Sequence, residues 1–262
     1  MGEAKRLIVQ PIGAADARRI IAALHYSGKC VKNSQVHLGV FLDGRCGGAM
    51  QFGPSLDKRK MQGLVRGTGW NEFIELNRLA FAEWLPRNGE SRAIGYAMRW
   101  FRDIYPWVQW VVSFADATQC GDGTIYRASG FLLTGIKKNN QVWEAPGGQS
   151  FSRTSLTDGR SKQQQQQAVT IISRTTTTTK GKHILNSGAA SMRAFVEAGW
   201  KPKPGFQLRY IYFLDRAARA RLTVPVLPYS EIARLGAGMY RGQPRVRSTE
   251  IGALGFHREG AV

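Results

Sequence analysis

The 262-residue chain carries 37 Lys and Arg against 18 Asp and Glu, a formal charge of +19. That excess excludes an ordinary acidic enzyme of cationic substrates and points to a polyanionic partner: DNA, RNA or a phosphate-rich cofactor. A hydrophobic content of 43% with 10% aromatics excludes a disordered basic tail, which would lack the apolar residues for a core.

In chain order, RLIVQ at 6–10 reads as a short strand. Asp16 then opens an amphipathic helix carrying Ile20, Ile21 and Leu24, which stops near His25-Tyr26-Ser27-Gly28. Two strands, 36–42 and 45–52, flank Asp43-Gly44, a strong hairpin signal. A basic, glycine-rich loop over 53–71 follows, then a longer strand at 72–81. A helix from Ser91 to about Tyr105 places Ile94, Ala97, Met98, Phe101 and Ile104 at helical spacing. A buried strand is expected at 107–114, a short helix near 122–130 and a strand from 131. This alternation predicts an α/β (α+β) layer fold around one mixed sheet.

From about 147 the texture turns polar, with a glutamine run at 163–167 and a threonine-rich basic stretch up to 182. A helix at 187–199 and a closing strand at 206–214 follow. The expected division is a domain over 1–215 with a polar insertion at 147–182, then a basic extension over 216–262. No apolar run approaches the roughly 18 to 20 residues of a membrane span. The start MGEAKRLIVQP lacks a secretory signal, and Cys30, Cys46 and Cys120 form no CxxC pair. A reduced, cytoplasmic setting without a membrane is the expectation.

Four constellations could carry chemistry. The segment PRNGESRAIG at 86–95 feeds a helix N-terminus, where backbone N–H groups and the dipole favour anions; Arg87, Asn88, Ser91 and Arg92 could hold a diphosphate. An ordinary capped helix explains the same spacing, and no GxxxxGK[ST] loop is present. After the strand at 107–114 come Asp116, Gln119, Cys120, Asp122 and Tyr126, where α/β folds place their sites. Tyr126 could present a phenol as proton donor; equally, Asp122 could cap the helix and Tyr126 pack. His25-Tyr26 gains weight only if the fold brings it near Asp116, as an acid–base pair or as two metal ligands. Finally, the runs at 58–66 and 174–182 offer Lys58, Arg59, Lys60, Arg66, Arg174, Lys180 and Lys182 to a phosphate backbone. Trp70, Trp84, Trp143 and Trp200 are stacking candidates or core.

Several long strings carry a resemblance: HYSGKCVKNSQVHLGVF, GGAMQFGPSLDK, GTGWNEFIELNRLAF, LPRNGESRAI, WVVSFADATQCGDGTIYRASGF and GFQLRYIYFLD. They resemble the phage Mom family of DNA-modification proteins, and the series from 72 to 136 looks like the core of the GCN5-related N-acyltransferase fold. The resemblance implies a mixed central sheet flanked by helices. It further implies conversion of adenine's exocyclic amine in DNA to a carbamoylmethylated form that shields phage DNA from restriction nucleases. By the same resemblance His25, Tyr26, Asp116 and Tyr126 are catalytic, Arg78 binds the cofactor, and His25 with Asp116 could ligate iron. An acyl-CoA or related donor and a homodimer also enter as expectations. The sequence RNGESR at 87–92 departs from the acyltransferase diphosphate signature Q/RxxGxG/A, which bears on classical acetyl-CoA binding.

The family's expected target lies inside a duplex, so its base must be flipped or unpaired. Alternative readings are an acyltransferase acting on RNA or aminoacyl-tRNA, and a non-catalytic nucleic-acid-binding protein. Strand alternation at 72–81 predicts Ile74, Leu76, Arg78 and Ala80 on one face, with Arg78 needing an anionic partner such as a cofactor phosphate, Glu75 or Glu83.

Overall fold

A computed structural model describes residues 2–117, 121–153, 156 and 192–237. After a single 3₁₀ turn, Glu3–Arg6, β1 spans Ile8–Pro11 and α1 Ala14–Leu24; β2 (Val36–Leu42) and β3 (Arg45–Gly53) follow. Asp43 and Gly44 have φ of 51° and 81°, the pair of positive values a two-residue hairpin turn demands. Next come α2 (Lys58–Gln62), β4 (Phe73–Phe81), α3 (Gly89–Ile104), β5 (Trp110–Asp116), α4 (Thr124–Ala128) and β6 (Leu132–Lys138). Later elements are β7 (Val142–Glu144), β8 (Ser150–Ser152), a helix Met192–Glu197, β9 (Lys201–Pro202) and β10 (Phe206–Phe213), then a 3₁₀ turn Ala217–Arg221 and a helix Ser230–Arg234.

One sheet has the order β1-β2-β3-β4-β5-β10-β6. β1 to β4 pair antiparallel, whereas β4 and β5 run parallel. Their register covers only Phe73↔Trp110 to Leu76↔Ser113, although β4 continues to Phe81 and β5 to Asp116. The two strands therefore part beyond Leu76 and Ser113. This is the mixed sheet flanked by helices that the acyltransferase-like resemblance implies.

Both faces of the sheet are covered. Ala17, Ile20 and Ile21 of α1 are buried, and Ile20 and Ile21 join Ala49 of β3 and Ala80 of β4 in one cluster. On the opposite face Phe52 of β3 meets Phe101 of α3 edge to face at 4.8 Å. A third cluster, with Met61, Val65, Phe73, Trp110 and Ile211, holds the segment after β3 against β5 and β10.

Three expectations need correction. The 53–71 segment is not all loop: Asp57 accepts Lys60 N–H at 3.2 Å and caps α2, whose Met61 is buried. Arg78 does not share a face with Ile74 and Leu76. Gln51 pairs with Arg78 and Phe52 with Leu76, leaving Asn77 as a bulge, and the extra residue resets the alternation. Arg78 and Ala80 consequently lie on the α1 face. The domain division also differs: residues 137–207 form one unit, while 1–136 and 208–262 form the other. The smaller unit holds the antiparallel sheet β8-β7-β9 and a core of Trp143, Leu156, Phe195 and Trp200. Residues 216–237 are no separate extension. Val65 bridges Leu222, and Arg66 N–H donates to Arg221 C=O at 2.8 Å. Among the described residues no helix is long and apolar enough to cross a membrane.

Trp110 is fully buried and donates its indole N–H to Thr68 Oγ1 at 3.1 Å; Thr68 Oγ1 in turn donates to Val65 C=O at 2.7 Å. Thr68→Val keeps the shape and strands the indole N–H. We expect a loss of about 1–3 kcal/mol in urea unfolding.

Candidate functional site

Helix α1 ends where His25 turns to extended backbone, its N–H still bonded to Ile21 C=O at 2.9 Å. The imidazole folds back on its own chain. Ser27 N–H donates to His25 Nδ1 at 3.2 Å, and Ser27 Oγ lies 2.8 Å from the same nitrogen. An Nδ1 that accepts a backbone N–H holds no proton, so Nε2 carries the ring hydrogen. Burial and then the neighbouring Arg78 guanidinium lower the pKa of His25 to about 4. At neutral pH His25 is thus a neutral hydrogen-bond donor through Nε2.

Arg78 is positioned by two carbonyls: Nε donates to Lys29 C=O at 3.1 Å and a terminal nitrogen to Asn77 C=O at 2.7 Å. The Asn77 side chain accepts from Ser34 Oγ at 3.2 Å and donates to Pro54 C=O at 3.4 Å. Burial raises the Glu75 carboxyl above its ordinary pKa, against the pull of Arg78. Burial, and then Arg78, also lowers the Lys29 ammonium. Gln51 is 0% exposed; its carbonyl oxygen accepts Val31 N–H at 3.3 Å, while its Nε2 has no hydrogen-bond partner among the described residues. Sequence reasoning offers Glu75 only as an ion-pair partner. It misses Gln51, and it names Ser27 in the string after His25 without a role, although a hydroxyl two residues after a histidine can close this local ring.

Asp116 ends β5 three residues beyond the last pair with β4, and Arg78 stands two beyond it on β4. They occupy opposite sides of the split. Tyr26 is 51% exposed and lies 4.2 Å from the His25 ring, tilted by 32°. Tyr126 is buried instead, with Phe131 at 5.4 Å and Tyr210 at 5.3 Å. Asp122 accepts from Thr124 N–H and Oγ1 at 3.1 and 2.6 Å, fixing the start of α4.

A second group forms where α3 begins. An open groove of about 640 Å³ is lined by Arg87, Asn88, Ser91, Arg92 and Arg99, with Gly2–Lys5 opposite. Asn88 precedes the helix at φ 65° and its side chain makes no cap bond. Ser91 Oγ donates to Asn88 C=O at 3.2 Å. Neither side chain therefore caps the first turn; Gly89 N–H is taken by Pro86 C=O at 2.9 Å and Arg92 N–H by Asn88 C=O at 3.2 Å, which leaves the Glu90 and Ser91 N–H groups without intrahelical acceptors. Arg92 donates to Tyr96 Oη at 3.1 Å, but its buried Nε has no partner among the described residues. Three guanidinium groups, a helix start and an unpaired N–H suit a diphosphate. Arg99 is missed by the sequence reading, although its spacing of seven from Arg92 puts both on one helix face. The structure thus gathers Arg87, Asn88, Ser91 and Arg92, and sets Arg78 with His25 instead.

The basic segment after β3 carries further cations. Lys58 Nζ sits 4.6 Å from the Trp70 ring and 3.4 Å from Asn71 Oδ1, and Trp70 is 52% exposed. Arg59 and Lys60 continue α2, and Arg66 is exposed. Arg174, Lys180 and Lys182 lie outside the described residues.

The model of the Mom protein family matches residues 6–231. This chain belongs to the Mom protein family. The methylcarbamoylase Mom of Escherichia phage Mu is 43% identical over 132 residues, covering 50% of this chain and 54% of that relative. The chain thus spans about half the length of the curated relative it matches. Among solved structures, a GNAT family acetyltransferase from Elizabethkingia anophelis with acetyl-CoA bound is 14% identical, with 51% of this chain and 81% of that one covered and a TM-score of 0.36. The spermidine/spermine N-acetyltransferase SpeG from Vibrio cholerae is 8% identical over 83% and 98% of the two chains, with a TM-score of 0.43.

The iron expected from the Mom resemblance does not fit the described donors. A metal-binding histidine usually donates through its second nitrogen to an acceptor, whereas His25 Nδ1 accepts. Arg78 places a fixed positive charge beside it, and among the described residues no three His, Cys, Asp or Glu side chains gather.

The depressed His25 pKa has a thermodynamic signature for this Mom-family chain. Its folded value of about 4 lies below the ordinary 6.5, so between them the unfolded state binds more protons. The contribution is complete above pH 6.5 and is lost as pH falls toward 4, by up to about 3 kcal/mol. Urea midpoints measured across that window should fall for the parent and flatten for His25→Gln. Arg78→Gln should move the His25 NMR titration back toward its ordinary value.

Proposed function

We propose that this protein modifies adenine in DNA, placing a carbamoylmethyl group on the exocyclic amine and so shielding phage DNA from restriction nucleases. What supports the reading is the parting of β4 and β5, beyond which lie Arg78, neighbour of His25, on one strand and Asp116 on the other, within the stretch that matches the Mom family. The name of the phage Mu relative, a methylcarbamoylase, supports it. The +19 charge suits a DNA substrate.

Adenine's amine is a weak nucleophile because its lone pair is delocalised into the ring, so it must be positioned and deprotonated as it reacts. In this reading Asp116 takes the N6 proton while nitrogen bonds to the donor's methylene carbon and the leaving group departs with its bonding pair. His25 Nε2–H and Arg78 hold the donor's carbonyl oxygen and so orient its methylene carbon for the displacement. Tyr26 offers an exposed ring to the flipped base. The α3 groove would hold the phosphates of a CoA-like donor on Arg87, Arg92, Arg99 and the helix start; that donor would carry its leaving group on the methylene of the carbamoylmethyl unit, since a thioester attacked at its carbonyl carbon would give an amide instead.

DNA from cells expressing the protein, digested to nucleosides and weighed, should contain a modified deoxyadenosine. His25→Ala and Asp116→Ala should each reduce it about 100-fold or more while DNA binding holds. Unmodified DNA with altered tRNA would move the activity to RNA, and neither would leave a binding protein. The phosphate grip is tested separately: changing Lys58, Arg59 and Lys60 together to Ala should flatten the slope of log affinity against log salt by up to about 0.9 for each phosphate no longer neutralised.

A further inference from the structure

We propose that Leu56 is a wedge that enters the base stack of duplex DNA and fills the space left by the adenine turned into the His25–Arg78 site. The proposal rests on the reading above that the substrate is adenine in DNA, and it adds how the base is extracted. Leu56 is wholly exposed, at 106% of its reference surface. Both of its neighbours are held. Ser55 is buried, and Asp57 caps α2 through Lys60 N–H. Just before them, Pro54 C=O accepts the Asn77 amide, at the bulge next to Arg78. The leucine is therefore carried on a short, fixed arm that starts at the candidate centre.

Its orientation is a departure from ordinary helix chemistry. An apolar residue immediately before an N-cap commonly packs onto the fourth helical residue, here Met61. Met61 is buried in the core, yet Leu56 turns away from it and stands in water. The surroundings specify a partner. Lys58, Arg59 and Lys60 follow directly, and Trp70, half-exposed beneath Lys58, offers a flat ring beside them. A lone apolar tip among cations suits a polyanion with an apolar interior, and duplex DNA is that partner. Proteins that unstack base steps insert Leu, Ile, Met or Phe in this way, and enzymes acting on a base must first take it out of the stack.

The test uses the full chain and short duplexes in which 2-aminopurine, whose emission rises on unstacking, replaces adenine in varied flanking contexts. The parent should raise the emission of matched duplexes several-fold. Leu56→Ala should abolish that rise while changing affinity by no more than about threefold, since every cation that meets a phosphate is kept. The variant should regain the rise when the opposite base is abasic, and Leu56→Phe should regain it on matched duplexes. An undiminished rise with Leu56→Ala overturns the proposal. So does a parent that leaves matched duplexes stacked and acts on single strands alone. The emission needs neither donor nor turnover. Unmodified DNA in expressing cells, alongside Leu56-dependent unstacking, would therefore sink the proposed chemistry and support the wedge.

Discussion

β4 and β5 share hydrogen bonds over four residues and then separate, and the inserted Asn77 bends β4 just past the point of separation. Parallel strands that part expose backbone groups and side chains that a continued ladder would cover. The polar side chains Asn77, Arg78 and Asp116 lie past this point. Elsewhere the paired strands of the sheet pack Ala49, Ala80 and Phe52 against helices. The opening of one pair of strands thus sets these polar side chains apart from the apolar packing between sheet and helices.

Charge around this centre is fixed by burial. Arg78 is a permanent cation whose bonds go to carbonyls, leaving its charge uncancelled by a paired carboxylate among the described ion pairs. That charge adds to burial in depressing His25 and Lys29, and it draws on Glu75. The result is a neutral imidazole beside a guanidinium, an arrangement suited to anionic or electron-rich groups. The groove at α3 repeats the theme with three more arginines. Both groups have the chemistry to hold anions.

How much of this could be read from the residues varies by element. The Asp43-Gly44 turn and the α1 stripe follow from local rules and appear where those rules put them. Helix α2 is hidden because Asp57 is the only capping signal in a run of lysine and arginine. Ile104, at helical spacing with the α3 stripe, is exposed because the helix ends there. The face of Arg78 is misassigned because a bulge shifts every later residue by one position, and no residue type in ELNRLAF announces it. The roles of His25, Tyr26, Asp116 and Tyr126 come from resemblance. The anion-suited chemistry of Arg87, Asn88, Ser91 and Arg92 is visible in the loop itself. The tautomer of His25 and the isolation of the Gln51 amide are tertiary facts, set by contacts that no spacing encodes.

The pairing of Val65 with Leu222, and of Arg66 with Arg221 across 155 positions, has a consequence for the order of assembly. The segment that carries α2 and Trp70 can form its cap early, from neighbours in sequence. Besides its packing on Phe73 and Trp110, its far end is fastened by residues 155 positions later, and so distant a loop closes late. The basic segment is thus completed after the strands it packs on, and a nascent chain displays its cations on a partly fastened loop until Arg221 and Leu222 have emerged.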